Sequence, residues 1–196
     1  MIHALFMNQF YSVISSPNKE EIAERLKKAR RIRNDITWNK ECNVKVEHLN
    51  MEDLKTSEGT IFTPALMLFL KELKISQLKQ WSSIGIEEAW RNTYTKGAHQ
   101  EIHDHSGNET TLSAVLFLED HYPESAKFYF YNRHCSEIPQ SWRDICVNNN
   151  WSSINYALTP KAYDIIFFPS YMLHGVTPHR SNKPRTTISL NMRFVR

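Results

Sequence analysis

The sequence predicts an α+β fold in one domain: a sandwich or barrel of short strands with helices packed on one face. Three observations point there. Two segments in the first third carry helical spacing or helical charge order. From residue 82 onward, apolar residues fall instead into short runs or strict alternation between turn residues. At 196 residues the chain can bury one sizeable core but is a squeeze for two full domains. Residues 1–81 therefore read as a mainly helical support region, and residues 82–196 as the β core that carries the site.

Taken in order, "SSPNKEEIAERLKKARRIR" opens with Ser and Pro, places Glu early and Lys and Arg later. A helix favours that order because its N-terminus carries partial positive charge and its C-terminus partial negative charge. A second helix is expected over residues 63–81, "TPALMLFLKELKISQLKQW", where apolar residues recur three and four apart. "IGIEEAWRNTYTKG" alternates in its second half, so Trp90, Asn92 and Tyr94 share one face of a strand. "TLSAVLFLE", "KFYFYN" and "DIIFFP" are nearly continuous apolar runs, as buried strands are. "TTISLNMRF" alternates again. Residues 135–157 show no strong pattern and read as a long loop with a short helix, of the kind that forms lids or binding elements.

Composition narrows the function. The net charge is only +3, and the densest basic run, "RLKKARRIR", lies in a helical pattern, where it reads as a solvated face. A nucleic-acid footprint would need more basic charge on more than one element. The longest apolar run, "ALMLFL", is far too short to span a membrane. The N-terminus lacks the basic start and small-residue cleavage site of a signal peptide. Cys42, Cys135 and Cys146 are odd in number and widely spaced. That pattern points to reduced thiols in a cytoplasmic setting, and away from a disulfide framework or a Cys-based zinc site.

The densest chemistry lies in "HQEIHDH", residues 99–105. On a regular strand His99, Glu101, His103 and His105 point one way, and Gln100, Ile102 and Asp104 the other. His103 and His105 then project from one face with room for a single ion between them. Neutral imidazole suits iron, zinc, copper and nickel. Two ligands do not make a site, and the best third is His174, which follows a buried strand and a Pro and precedes a Gly. His3, His48, His121, His134 and His179 read as structural or surface residues, and His99 as structural or supporting. Asn92 and Asn191 are polar residues on otherwise buried strands, so each is expected to have hydrogen-bond partners.

These residues resemble a known family. "WRNTYTKGAHQEIHDHSGNETTLSAVLFLE" followed by "DIIFFPSYMLHGVTPHRSNKPRTTISLNMRF" is similar to the 2-oxoglutarate/Fe(II)-dependent oxygenases, in particular a small branch from phages and marine bacteria. The shared features are Trp90, Asn92 and Tyr94; the His103 and His105 pair; Phe168, Pro169 and Ser170 leading to His174; then Arg185 and Asn191. The resemblance covers residues 84–196 and leaves the first third without a motif. It implies a double-stranded β-helix of the jelly-roll or cupin-like kind. It also implies Fe(II) on His103, His105 and His174, with 2-oxoglutarate as cosubstrate and O2 as oxidant. Arg185 would take the remote carboxylate of 2-oxoglutarate, where its planar fork can form two hydrogen bonds. Thr187 lies on the same strand face and could join it, with Tyr94 and Asn92 also in reach. His99, Glu101, Asp104 and Asn191 would support the ligands, and Tyr131, Trp142 and Trp151 would line the mouth.

One departure stands out. Most of this superfamily pairs two histidines with one carboxylate. Here Asp104 sits between the histidines, and His105 occupies the position usual for the acid. The branch it resembles also writes His-x-His, which makes a three-histidine site. A bulge could turn Asp104 inward, and a shifted register could bring in an oxygen of Glu101. Three histidines and an open position also describe catalytic zinc. The expected reaction is hydroxylation of a protein side chain or small molecule, with succinate and CO2 as coproducts. The competing expectations are a zinc enzyme on a cupin-like fold, or a non-catalytic jelly-roll binding or virion-associated protein. Nucleic acid is not favoured as a partner, a homodimer is left open, and a phage gene would place the protein in the host cytoplasm.

Overall fold

Strands from both ends of the chain interleave in two antiparallel sheets. The structure, a computed structural model, describes residues 9–33, 41–73, 83–106, 110–145 and 153–195. In chain order the elements are β1 (Ser12–Ser15), α1 (Lys19–Lys28), β2 (Arg31–Arg33), β3 (Lys45–Leu49), α2 (Met51–Leu54), β4 (Lys55–Thr56), β5 (Gly59–Thr60) and α3 (Thr63–Glu72). There follow β6 (Ser83–Tyr94), β7 (Gln100–His103), β8 (Leu112–Phe117), β9 (Phe128–Tyr131), α4 (Gln140–Ile145), β10 (Asn155–Ala157), β11 (Asp164–Pro169), β12 (His174–Val176) and β13 (Arg185–Val195). The large sheet runs β1-β11-β8-β13-β6-β3-β2 and the small one β10-β9-β12-β7, while β4 and β5 pair only with each other.

Alternation along the strands gives the large sheet two apolar faces. On the outer face Leu116, Phe167, Ile188 and Leu190 share one buried cluster with Ile22 and Leu26 of α1, Leu54 of α2 and Leu66 and Phe69 of α3. On the inner face Trp90, Tyr94, Val115, Phe117, Ile166 and Phe168 pack against Phe128 and Phe130 of β9 and Val176 of β12. Each such side chain, fully buried, contributes roughly 1.5–3 kcal/mol. β8 and β11 are buried along their whole length. Their unbroken apolar runs follow from that, because neither face meets water.

The helices form where charge order and spacing suggest. α1 has Glu20 and Glu21 in its first turn and Arg25, Lys27 and Lys28 in its last. α3 starts with a proline in its first turn and buries Ala65, Leu66 and Phe69. The expected extension of this helix to residue 81 lies mostly outside the described residues.

The first third differs from a mainly helical region in one respect: it supplies β1, β2 and β3 to the large sheet. The basic run does not stay helical to its end. Ala29 turns extended, and Arg31 and Arg33 pair with β3. An ion pair helps hold that turn. Arg31 reaches the buried Glu47 carboxylate at 2.8 Å, and Lys45 reaches the same oxygen at 3.0 Å. Segments as short as "SVIS" and "RIR" carry too little period to be read as strands; their pairing partners decide them.

Candidate metal centre and its cavity

β7 and β12 bring the histidines together through an irregular register. His174 lies opposite His103, while Val176 lies opposite Gln100, so three steps on β7 face two on β12. That is a β-bulge, and it resets the alternation. Gln100 and His103 therefore both face the interior. Ile102 is 41% exposed. Regular alternation would put Gln100 on the opposite face from His103, and the bulge overrides it. His105 lies past the end of β7, where its backbone N–H donates to Ser170 O at 2.9 Å. Gly175, next to His174, is needed for close approach. A Cβ there would meet Tyr129 Oη at 2.7 Å and Gln100 O at 3.1 Å.

The result is a compact three-histidine cluster. One ring nitrogen each from His103, His105 and His174 lies within 4.8 Å of the others. Ring centroids are 4.3 Å apart for His103 and His174, and 5.2 Å for each of the other two pairs. His103 Nδ1 lies 2.8 Å from Glu101 O, and His174 Nδ1 lies 2.8 Å from Met172 O. A carbonyl accepts only, so each Nδ1 carries the hydrogen and each Nε2 keeps its lone pair for a metal. Burial holds all three rings neutral. It is the largest cause lowering His103 and His174, and with the neighbouring His103 it brings His105 down to about 4. The donor set thus fits a divalent transition metal such as Fe(II). Trp90 stacks on His105 at 5.9 Å, and Phe168 packs against His174 at 4.8 Å.

Arg185 and Thr187 line the same cavity as the three histidines. The Arg185 guanidinium lies 5.0 Å from the Phe117 ring centroid and 6.0 Å from that of Tyr94. Its Nη1 is buried without a hydrogen-bond partner among the described residues. A buried guanidinium nitrogen left without a hydrogen-bond partner is costly unless a ligand satisfies it, so the cavity suits an anion at this end. The Tyr94 hydroxyl donates to Gln100 Oε1. Asn92 does not line the cavity; it is buried behind it and donates from Nδ2 to Ser189 Oγ at 2.9 Å.

The remaining candidates are placed as follows. Asp104 does not turn inward. It accepts from Ser106 N and Oγ at 3.1 and 2.7 Å and faces Arg133 at 3.8 Å. The Glu101 carboxylate accepts from Cys42 Sγ at 2.9 Å, and His99 Nε2 lies 3.6 Å from the same sulfur. Neither Asp104 nor Glu101 belongs to the ligand cluster, nor does His99. Asn191 is buried, donates from Nδ2 to Glu88 Oε1 at 2.7 Å and accepts at Oδ1 from Ser113 Oγ at 3.2 Å. Tyr131 lines a separate groove with Tyr11, Phe130, Tyr156 and Met172. Trp142 falls on α4 with its side chain outside the described set, and Trp151 lies outside the described residues. The sequence pattern gives no signal for Gln100 or Glu88. Gln100 is hidden by the bulge, and Glu88 reads as an ordinary surface acid.

Comparison with known proteins identifies the class. A sequence model of the 2OG-Fe(II) oxygenase family matches residues 88–191, which hold all three histidines and Arg185. The chain belongs to this family. Its reaction class is oxygenation dependent on iron and 2-oxoglutarate. A search of curated protein sequences returns no match. Among solved structures, a 2OG-Fe(II) oxygenase family oxidoreductase from Burkholderia pseudomallei is similar at a TM-score of 0.61 and 12% identity, over 93% of this chain and 85% of that one. The α-ketoglutarate-dependent carbocyclase SnoK of nogalamycin biosynthesis is similar at 0.62 and 16% identity, over 95% and 80%. A Pseudomonas putida prolyl-4-hydroxylase is similar at 0.56 and 12%, over 96% and 94%. These likenesses establish the double-stranded β-helix.

Proposed function

We propose that the protein is a hydroxylase that uses Fe(II) and 2-oxoglutarate on an unidentified C–H substrate, either a protein side chain or a small molecule. The observation that carries this reading is the Arg185 guanidinium buried in the cavity of the three-histidine cluster with its Nη1 lacking a hydrogen-bond partner among the described residues. A hydrolytic zinc site has no use for it, whereas a dicarboxylic cosubstrate does. His103, His105 and His174 would hold the iron through their free ring nitrogens. Arg185 would grip the remote carboxylate of 2-oxoglutarate, with the Thr187 hydroxyl beside it. Phe117 and Tyr94 would shield that ion pair from water, which strengthens it. Gln100 fixes the Tyr94 hydroxyl hydrogen by accepting it, which leaves the phenol oxygen to accept from a neighbour. Iron, 2-oxoglutarate and O2 together supply the oxidation, yielding succinate, CO2 and a hydroxylated substrate. Cys42 and Cys135 are buried and in no disulfide, which supports a cytoplasmic setting; no described helix is long and apolar enough to cross a membrane.

The test is anaerobic addition of Fe(II), then 2-oxoglutarate, to metal-free protein, with the visible spectrum recorded. A chelated 2-oxo acid on Fe(II) should give a charge-transfer band. His103→Ala should abolish the band. Arg185→Leu should raise the 2-oxoglutarate concentration needed for half-maximal signal by about 100-fold, the scale of a lost charge-assisted hydrogen-bond pair. Metal bound without a band would return the protein to the zinc reading.

A further inference from the structure

Of the described histidines outside the cluster, only His179 is buried, at 1% exposure. It lies between β12, which carries His174, and β13, which opens on Arg185. Both of its ring nitrogens meet main chain. Nδ1 accepts from Ala126 N at 3.0 Å. The hydrogen therefore sits on Nε2, which donates to Lys183 O at 2.7 Å. This tautomer is the reverse of the one in His103 and His174. The backbone of His179 is fixed as well. Its O accepts from Gly97 N at 2.7 Å and its N donates to Ala98 O at 2.8 Å, in the turn that leads into β7.

Lys183 O is anchored twice, since it also accepts from the Tyr122 hydroxyl at 2.9 Å. Only Pro184 separates Lys183 from Arg185. A proline fixes its own φ and biases the residue before it toward extended backbone. Few free torsions remain between the pinned carbonyl and the Arg185 backbone. Arg185 has use for such an anchor. It opens β13 with a ladder partner, Tyr94, on β6, whereas pairing with β8 begins only at Thr187. A two-pronged grip on a carboxylate depends on where the guanidinium is held.

We infer that His179 is a positioning residue for Arg185: through Lys183 O it sets where the guanidinium stands at the 2-oxoglutarate end of the cavity. The inference rests on the reading of that cavity as a 2-oxoglutarate site. His179 acts from outside, because it does not line the cavity.

The experiment titrates 2-oxoglutarate into anaerobic Fe(II)-loaded protein by the charge-transfer band. Fe(II) affinity and the melting temperature of the metal-free protein are recorded for each variant. Two substitutions separate the ring contacts. His179→Asn keeps an acceptor within reach of Ala126 N and is too short for Lys183 O. His179→Gln keeps a donor for Lys183 O. His179→Asn should raise the half-saturating 2-oxoglutarate concentration about tenfold, the scale of one lost hydrogen bond. Its Fe(II) affinity should stay within about threefold of the wild type, because the main-chain bonds to Gly97 and Ala98 do not depend on the side chain. His179→Gln should stay within about threefold on both measures. Tyr122→Phe removes the second donor to Lys183 O and should shift 2-oxoglutarate binding in the same direction by less. The deciding arm is an Arg185→Leu background. There His179→Asn should add less than about twofold, since no guanidinium is left to misplace. A wild-type titration in folded His179→Asn would overturn the inference. So would a full tenfold effect in the Arg185→Leu background, or shifts for Asn and Gln that merely follow their melting temperatures. If His179→Asn does not fold, an unchanged Tyr122→Phe overturns it and a shift lost in the Arg185→Leu background supports it. If the wild type gives no band, the oxygenase reading fails and this inference fails with it. A wild-type band with unmoved variants overturns this inference alone.

Discussion

β13 presents two buried faces that differ in almost every other respect. Its outward residues Ile188, Leu190 and Met192 lie in the apolar cluster shared with the helices. Its inward residues Arg185, Thr187 and Asn191 are just as buried, yet each carries a polar group. Burial by itself does not tell the two faces apart. What differs is the partner. The outer face meets methyl and ring groups, and its contribution is ordinary apolar burial. The inner face meets a cavity and a histidine cluster, and at Arg185 it leaves a guanidinium nitrogen unsatisfied. Selection for stability alone would not keep such a group, since similar-sized apolar residues in its place are often neutral or stabilising. The strand therefore separates stability from chemistry by a two-residue period.

The sharpest way to break this division is a pair of substitutions with opposite patterns. His174→Ala should abolish Fe(II) binding and the 2-oxoglutarate band while leaving the metal-free protein folded. Ile188→Ala should lose about 2–5 kcal/mol by urea unfolding, the usual cost of truncating a buried isoleucine. Its Fe(II) affinity, measured well below the unfolding transition, should match the wild type. If Ile188→Ala weakened metal binding as much as His174→Ala does, the two faces would not be independent.

Acid titration probes the inner face through its histidines. His105 is lowered from 6.5 to about 4, first by burial and then by the neighbouring His103, and His103 and His174 move in the same direction. A histidine with a depressed folded-state value binds fewer protons folded than unfolded. Its contribution is therefore complete above about pH 6.5 and is lost as pH falls toward the folded-state value. The metal-free protein should lose about 2 to 3 kcal/mol through His105 between pH 6.5 and 4. Urea midpoints at several pH values would show this slope, and His105→Phe should make it shallower, with His103 and His174 supplying the remainder. An equal slope in that variant would assign the acid sensitivity to groups elsewhere.

Much of this division is legible in the sequence. Alternation in "TTISLNMRF" and "AWRNTY" sorts the faces of β13 and β6 directly, because a side chain's face on a regular strand depends only on parity. His174 and Arg185 could be anticipated by type and order along the chain. Gln100 could not. Its inward turn depends on the bulge opposite His174 and Val176, and β12 is distant in sequence, so no local pattern in "HQEIHDH" encodes it. The same limit applies to β1 and β2, where very short segments become strands only because a neighbour offers a ladder. Asp104 shows the converse. Parity placed it outward, and the structure keeps it there in a turn with Ser106.

Gln100 supplies the finest test of the inner face. It accepts from the Tyr94 hydroxyl and lines the cavity that also holds the histidines and Arg185. Tyr94 is fully buried, and burial pushes its pKa up, so its hydroxyl stays protonated and must place its hydrogen somewhere. Gln100→Leu removes that acceptor at nearly constant volume. The hydroxyl then has to rotate toward whatever occupies the cavity, or stay unpaired at a cost of about 1–3 kcal/mol. In the metal-free, ligand-free protein this should appear as a loss of roughly 1 kcal/mol in stability. With 2-oxoglutarate bound, part of the loss should return, because a carboxylate oxygen can take the hydrogen that Gln100 no longer accepts. Stability of Gln100→Leu should thus rise more steeply with 2-oxoglutarate concentration than that of the wild type, read as melting temperature in the presence of Fe(II) without oxygen. Parallel curves would mean that Tyr94 does not face the cosubstrate, and that the polar inner face reaches only as far as Arg185.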